Sequence, residues 1–218
     1  MKARREEKSA VKIPSGKATV NGNLEIPDGA SGIVLFAHGS GSSRFSTRNI
    51  YVAGLMNKQG IATLLIDLLT AEEESVDEYT GQFRFDVDML AERLADSTRW
   101  LKQNPATKKL SVGYFGASTG AAAALIAAAK MPEAVNAVVS RGGRPDLAGD
   151  HLDKVKAPTL LIVGGNDAEV LELNMQALKL IRIEKKLEVV PGATHLFEEP
   201  GTLQEAAALA IDWFKKHL

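Results

Sequence analysis

Residues 110–130 read LSVGYFGASTGAAAALIAAAK, and the fold turns on how that stretch is parsed. Leu110 to Phe115 predicts a short buried strand, and Ala121 to Lys130 predicts a helix. Between them stands Gly116-Ala117-Ser118-Thr119-Gly120, a G-x-S-x-G pentapeptide in strand–turn–helix context. That arrangement places a serine on a strained turn, between small residues that let strand and helix approach closely. The hydroxyl would stand exposed above a sheet, at a helix N-terminus whose dipole favours developing negative charge. The pentapeptide alone is weak evidence, because a serine before an alanine-rich run is also an ordinary helix N-cap. Its weight comes from the surrounding chain.

Outward from this stretch, apolar runs alternate with helical periodicity. Ile33 to Ala37 is a continuous apolar run, as expected of a strand buried on both faces. A helix is predicted over roughly Thr47 to Gln59, then a second buried strand over Ile61 to Ile66, closed by Asp67. Residues 71–85 are acidic and polar and predict a surface loop. Asp86 to Gln103 carries apolar residues at helical spacing and stops at Asn104-Pro105. Strands follow at Val135 to Val139, Thr159 to Val163 and Leu187 to Val190. Helices are predicted from about Glu169 to Ile183 and from Thr202 onward. Near the start, Val11 to Val20 and Asn23 to Ile26 predict an antiparallel hairpin turning at Asn21-Gly22. Residues 1–10 predict a frayed or surface-lying segment. The alternation implies an α/β fold: a mostly parallel sheet with helices on both faces and an antiparallel hairpin at its start.

Composition narrows the class. The chain has 218 residues, 45% apolar and 24% charged, with a net charge of −1. That suits one domain with a substantial core and gives no general attraction to nucleic acid or an anionic membrane. Absence of cysteine excludes disulfides, thiolate metal sites and a cysteine nucleophile. The charged N-terminus has no following apolar segment of a secretory signal, and no apolar run is long enough to span a bilayer. A cytoplasmic location is expected. The glycine-rich His38-Gly39-Ser40-Gly41-Ser42-Ser43 lacks the lysine of a P-loop, and no metal-ligand spacing stands out, so neither cofactor nor metal is expected.

A serine hydroxyl needs a positioned base. The chain has four histidines. His217 sits among lysines at the end of the last helix and is expected at the surface; His151 lies in a polar stretch with no strand before it. His38 and His195 each follow a strand, where ligands bind in open α/β sheets. His38 is expected to buttress the loop beneath the site. Asp167, after the strand Thr159 to Val163, is the candidate carboxylate, with Glu169 as competitor and helix capping as its ordinary alternative. Chain order is then Ser118, Asp167, His195: nucleophile, acid, base.

In these motifs the chain resembles the α/β-hydrolase superfamily, in its dienelactone hydrolase-like branch. The resemblance runs from about Ile33 to the C-terminus and rests on His38-Gly39-Ser40-Gly41, Gly116–Gly120, Gly164-Gly165-Asn166-Asp167 and Gly192-Ala193-Thr194-His195. Dienelactone hydrolases proper use a cysteine nucleophile, which this chain lacks, so a serine esterase is the safer expectation. The resemblance implies an oxyanion hole from the backbone N–H groups of Thr119 and Ser40. It also implies one compact domain over residues 1–218, without the large cap that many relatives insert after Val135 to Val139.

The expected activity is hydrolysis of small to medium carboxylic esters, with a small-molecule ester as substrate, neither nucleic acid nor membrane as partner, and the oligomeric state left open. Thioesterase or peptidase chemistry, or a ligand-binding module with negligible turnover, are the alternatives. Arg44, Arg141 and Arg144 are candidates to bind an anionic substrate group, unless they pair with nearby carboxylates such as Asp67 and Asp146.

Overall fold

Eight strands form one sheet in the computed structural model, which describes residues 7–218, in the order β1-β2-β4-β3-β5-β6-β7-β8. They are β1 (Glu7–Ser15), β2 (Ala18–Ile26), β3 (Gly32–Ala37), β4 (Ala62–Ile66), β5 (Ser111–Ala117), β6 (Val135–Arg141), β7 (Thr159–Gly164) and β8 (Lys185–Val190). β1, β2 and β4 pair antiparallel; every pairing from β4 through β3 to β8 is parallel. The parallel strands β3, β4 and β7 are buried at every residue, as burial on both faces demands.

Helices cover both faces. On one side lie α3 (Val87–Gln103), α4 (Thr119–Lys130) and α5 (Ala168–Leu180), over a core that includes Leu35, Leu64, Tyr114, Leu125 and Val138. On the other lie α1 (Thr47–Lys58) and α6 (Thr202–His217), over Phe36, Phe115, Val139, Ile162 and Phe214. The link from β6 to β7 holds only a 3-10 segment, Pro145–Lys154, kinked at Gly149; no cap domain is inserted there. No helix among the described residues is long and apolar enough to cross a membrane.

The N-terminal hairpin differs from the sequence expectation. It turns at Gly16-Lys17, where Gly16 has φ +58°, and Asn21-Gly22 lies within β2, with Gly22 paired to Val11 and Ile66. Glycine serves packing at that point: a Cβ there would lie 2.9 Å from Leu64 Cδ1 and 3.1 Å from Val11 Cγ2. Of the segment 1–10, residues 1–6 fall outside the described residues, and Glu7 to Ala10 are strand rather than loose chain.

The acidic segment also differs. It forms α2 (Ala71–Thr80) behind a capping box, with Glu73 N–H donating to Thr70 Oγ1 and Thr70 N–H donating to Glu73 Oε2. Its carboxylates at Glu72, Glu73 and Glu74 complement the helix dipole. Glu73 also pairs with Arg93 of α3 at 2.5 Å.

Candidate active site

β5 runs into α4 through a single residue. Ser118 has φ +50° and ψ −123°, a region that costs a non-glycine residue about 1–3 kcal/mol. The flanking glycines make the turn possible. A Cβ on Gly116 would sit 2.4 Å from Ala121 Cα, and one on Gly120 would sit 2.4 Å from the carbonyl oxygens of Ala37 and His38. The Ser118 carbonyl accepts from Ala121 and Arg144 N–H, each at 3.1 Å. Its side chain does not cap α4 and makes no hydrogen bond among the described residues. The ordinary capping role is thus unfilled, and the hydroxyl is left half-buried at the carboxyl end of the sheet.

Asp167 likewise makes no capping bond to α5. Its Oδ2 instead lies 2.7 Å from His195 Nδ1. The two loops are locked together from below. A Cβ on Gly164 would meet Ala193 O at 2.4 Å; Asn166 N–H donates to Ala193 O at 2.9 Å, and Asn166 Nδ2 to Gly192 O at 3.0 Å. Beyond the histidine, the Thr194 hydroxyl and N–H both donate to Glu199, at 2.6 and 3.0 Å. Those bonds hold the Glu199 carboxyl below its ordinary pKa. Phe197, buried at φ +56°, ends the loop.

Ser118 and His195 approach the same residue pair from two sides. Ser118 N–H points to Arg141 O at 3.4 Å; a Cβ on Gly142 would lie 3.0 Å from His195 O and 3.7 Å from its Nδ1. The structure therefore joins Asp167 to His195 directly, and brings Ser118 to the same end of the sheet without a hydrogen bond to the imidazole. With Nδ1 facing the carboxylate, Nε2 is the nitrogen open to a hydroxyl.

His38 is buried, and its ring ties two strand ends. Leu68 N–H donates to Nε2 at 3.0 Å, so Nδ1 carries the proton and donates to Gly39 O at 2.9 Å. Burial lowers its pKa from the ordinary histidine value, against smaller opposing effects of Gly39 and Asp67. Ser40, on the next turn, does not present a vacant amide: its N–H donates to Thr119 Oγ1 at 3.0 Å. The two hydroxyls are 2.9 Å apart, and Ser40 Oγ reaches Arg84 O at 3.3 Å. Thr119 N–H, first in α4, has no acceptor within the helix.

The three arginines separate. Arg44 is held by Asp67 through both its guanidinium and its backbone N–H, and Arg144 makes a two-pronged contact with Asp146 at 2.9 and 2.8 Å. Arg141, at the end of β6, is 5% exposed, with no partner for Nε or Nη1. It lies 5.5 Å from the centroid of the Phe197 ring, and burial, with Arg48 nearby, lowers its pKa to about 10. His217, expected at the surface, is half-buried and packs on Trp213 with ring centroids 4.7 Å apart.

A cleft of about 290 Å³ adjoins the elbow. Thr119, Ser40 and His38 form its wall on the sheet side; Glu74, Glu78 and Arg84 face them from α2 and the loop after it. Neither Ser118 nor His195 lines it. Arg84 escaped sequence reading altogether. It grips Asp77, Nε to Oδ2 at 2.6 Å and Nη2 to the carbonyl at 2.7 Å, and so pins α2 beside the cleft. Burial would raise the Asp77 pKa, but the Arg84 and Phe83 N–H groups and the guanidinium lower it overall. The available signal for α2 was the Thr70-x-x-Glu73 spacing of a capping box.

Comparison with known proteins gives a consistent fold. The profile of the dienelactone hydrolase family matches residues 20–218. A crystal structure of dienelactone hydrolase from Anabaena variabilis superposes with a TM-score of 0.96 at 58% identity, covering 98% of this chain and 99% of that one. Est1E from Butyrivibrio proteoclasticus shares the fold at 16% identity, with a TM-score of 0.79 over 95% of this chain and 98% of that one. Two Mycobacterium tuberculosis strains hold a relative 59% identical over 208 residues, provisionally named a phosphoribosyl transferase. That match covers 95% of this chain and 46% of the relative, so the chain spans about half the length of these curated relatives.

Proposed function

The chain belongs to the dienelactone hydrolase family, and on that premise we propose that it acts as a single-domain serine hydrolase of carboxylic esters. The strained backbone of Ser118 carries the reading. Such strain persists only where the surroundings impose it, and it clusters at functional sites; here it presents a hydroxyl with no structural task. The Asp167–His195 hydrogen bond at 2.7 Å supplies the matching base.

In the proposed cycle, Ser118 Oγ attacks the acyl carbonyl and His195 Nε2 takes its proton. Asp167 holds the Nδ1–H tautomer and stabilises the imidazolium. The tetrahedral oxyanion is met by Thr119 N–H at the start of α4. Protonation of the leaving alkoxide by His195 leaves an acyl-enzyme, which water activated by the same nitrogen hydrolyses. Of the three arginines, Arg141 alone is buried with no carboxylate paired to it, and we assign to it any anionic group of the substrate. Thioesters share this chemistry and are the nearest alternative substrate class.

The transferase name of the mycobacterial relatives belongs to proteins about twice as long as the matched segment. The matched segment carries the Ser118 elbow and the Asp167–His195 pair, and hydrolysis rather than phosphoribosyl transfer is the activity we assign to it.

The test is hydrolysis of a p-nitrophenyl ester series by the wild type and by Ser118→Ala. The variant is expected to lose at least about 10³-fold in kcat. Equal rates in the two proteins, or a folded wild type inactive across the series, would reject the assignment.

A further inference from the structure

The serine mechanism above is the premise of one more assignment. We propose that the hydroxyl of Thr119 is the second oxyanion donor, and that Ser40 is a positioning residue that aims it.

The inference follows from counting donors and lone pairs. A threonine hydroxyl has one proton and two lone pairs. Ser40 N–H, the amide that a loop after the first buried strand would offer to an oxyanion, is already spent on one lone pair of Thr119 Oγ1, at 3.0 Å. To serve a substrate directly it would have to abandon a hydroxyl on a residue only 5% exposed, leaving that oxygen short of a donor. The second lone pair is within reach of Ser40 Oγ, 2.9 Å away. Ser40 Oγ has an alternative acceptor in Arg84 O, at 3.3 Å.

Two proton arrangements therefore share one set of heavy-atom positions. At rest, Thr119 O–H donates to Ser40 Oγ, whose own proton lies on Arg84 O. When negative charge develops in the site, Ser40 O–H turns from Arg84 to Thr119 Oγ1. Both Thr119 lone pairs are then filled from Ser40, and the Thr119 hydroxyl proton has no acceptor left among the described residues. It is free for the oxyanion, beside the N–H of the same residue, and Thr119 itself lines the cleft. Only two hydroxyl protons rotate and no heavy atom has to move, so little reorganisation accompanies stabilisation of the transition state. Two bonds received by Thr119 Oγ1 also polarise its O–H and strengthen the one it gives.

The variants that test this are Thr119→Val, which keeps shape and removes the hydroxyl, Thr119→Ser, which keeps the hydroxyl, and Ser40→Ala, which keeps the amide and removes Oγ. Each is followed by steady-state hydrolysis of p-nitrophenyl acetate and by the rate of covalent labelling with a fluorophosphonate, on protein shown to be folded by its melting curve. Thr119→Val is expected to lose about 10²–10³-fold in kcat with KM nearly unchanged. Thr119→Ser should restore most of that loss, and Ser40→Ala should fall between them. Should Thr119→Val fold poorly, the ranking of Thr119→Ser above Ser40→Ala decides alone. Full activity in Thr119→Val, with wild type labelled at Ser118, would overturn the hydroxyl assignment and return the role to the Ser40 amide. Labelling absent from the wild type would instead overturn the serine mechanism, and this assignment with it.

Discussion

A buried guanidinium without a partner has lost its hydration and gained no compensating charge, and Arg141 is in that position. Its cation faces the Phe197 ring, a partial substitute, while neighbouring Arg48 is paired outward with Glu198 at 3.1 Å. Arg44 and Arg144, by contrast, have their charges met inside the protein. An unmet charge beside the histidine loop is an expense that binding an anionic group would offset. Arg141→Met is expected to melt no lower than the wild type, and its kcat/KM for a monoacid ester such as p-nitrophenyl succinate should fall about 10-fold or more relative to p-nitrophenyl acetate. An unchanged ratio would show that substrate never reaches the guanidinium.

At the scale of elements, the elbow is a contact between backbones. α4 lies so close to β5 and β3 that two glycines are the joint, and neither obstructing group is a flexible side chain. Gly120→Ala would press a methyl group onto the carbonyls that end β3; it is expected to cost about 3 kcal/mol or more, read as a large drop in urea midpoint. This joint was legible in the sequence because glycine, serine and alanine announce it by size. The buried parallel strands were legible too, since burial on both faces writes continuous apolar runs such as Ile33 to Ala37. The hairpin turn was not: Asn21-Gly22 is good turn chemistry, and only the contacts of Gly22 with Leu64 and Val11 explain its place inside a strand. α2 was hidden because Asp77 is its one buried residue, so no apolar stripe marks it. Ser118, Asp167 and His195 could be picked from strand ends and chain order. The engagement of Ser40 by Thr119 could not, because it joins residues 79 positions apart.

For the molecule as a whole, acidification strains the join between the ends of β3 and β4. His38 is held neutral there, its Nε2 accepting from Leu68, and burial sets its folded pKa below the ordinary value of 6.5. Below about pH 6.5 the unfolded chain takes up a proton that the folded one resists, so stability falls as pH drops through that window and is fully present above it. His217, shifted the same way by burial, adds to the slope. Melting temperature should therefore be level between about pH 7.5 and 8.5 and decline from about pH 6.5 downward. His38→Gln should decline less steeply than wild type; an identical slope would assign the effect elsewhere.

The sheet order has a further consequence in time. The strand that presents Ser118 lies at the middle of the sheet, whereas His195 follows β8, its last and outermost strand. At about 5–20 residues per second, a ribosome needs roughly 4–15 s to advance from the serine to the histidine. During that interval the nascent chain can already bend its elbow, yet it lacks the histidine proposed to deprotonate the hydroxyl. On the proposed serine mechanism, reactivity is withheld until the final edge strand docks, so a growing or prematurely terminated polypeptide would not attack the esters around it.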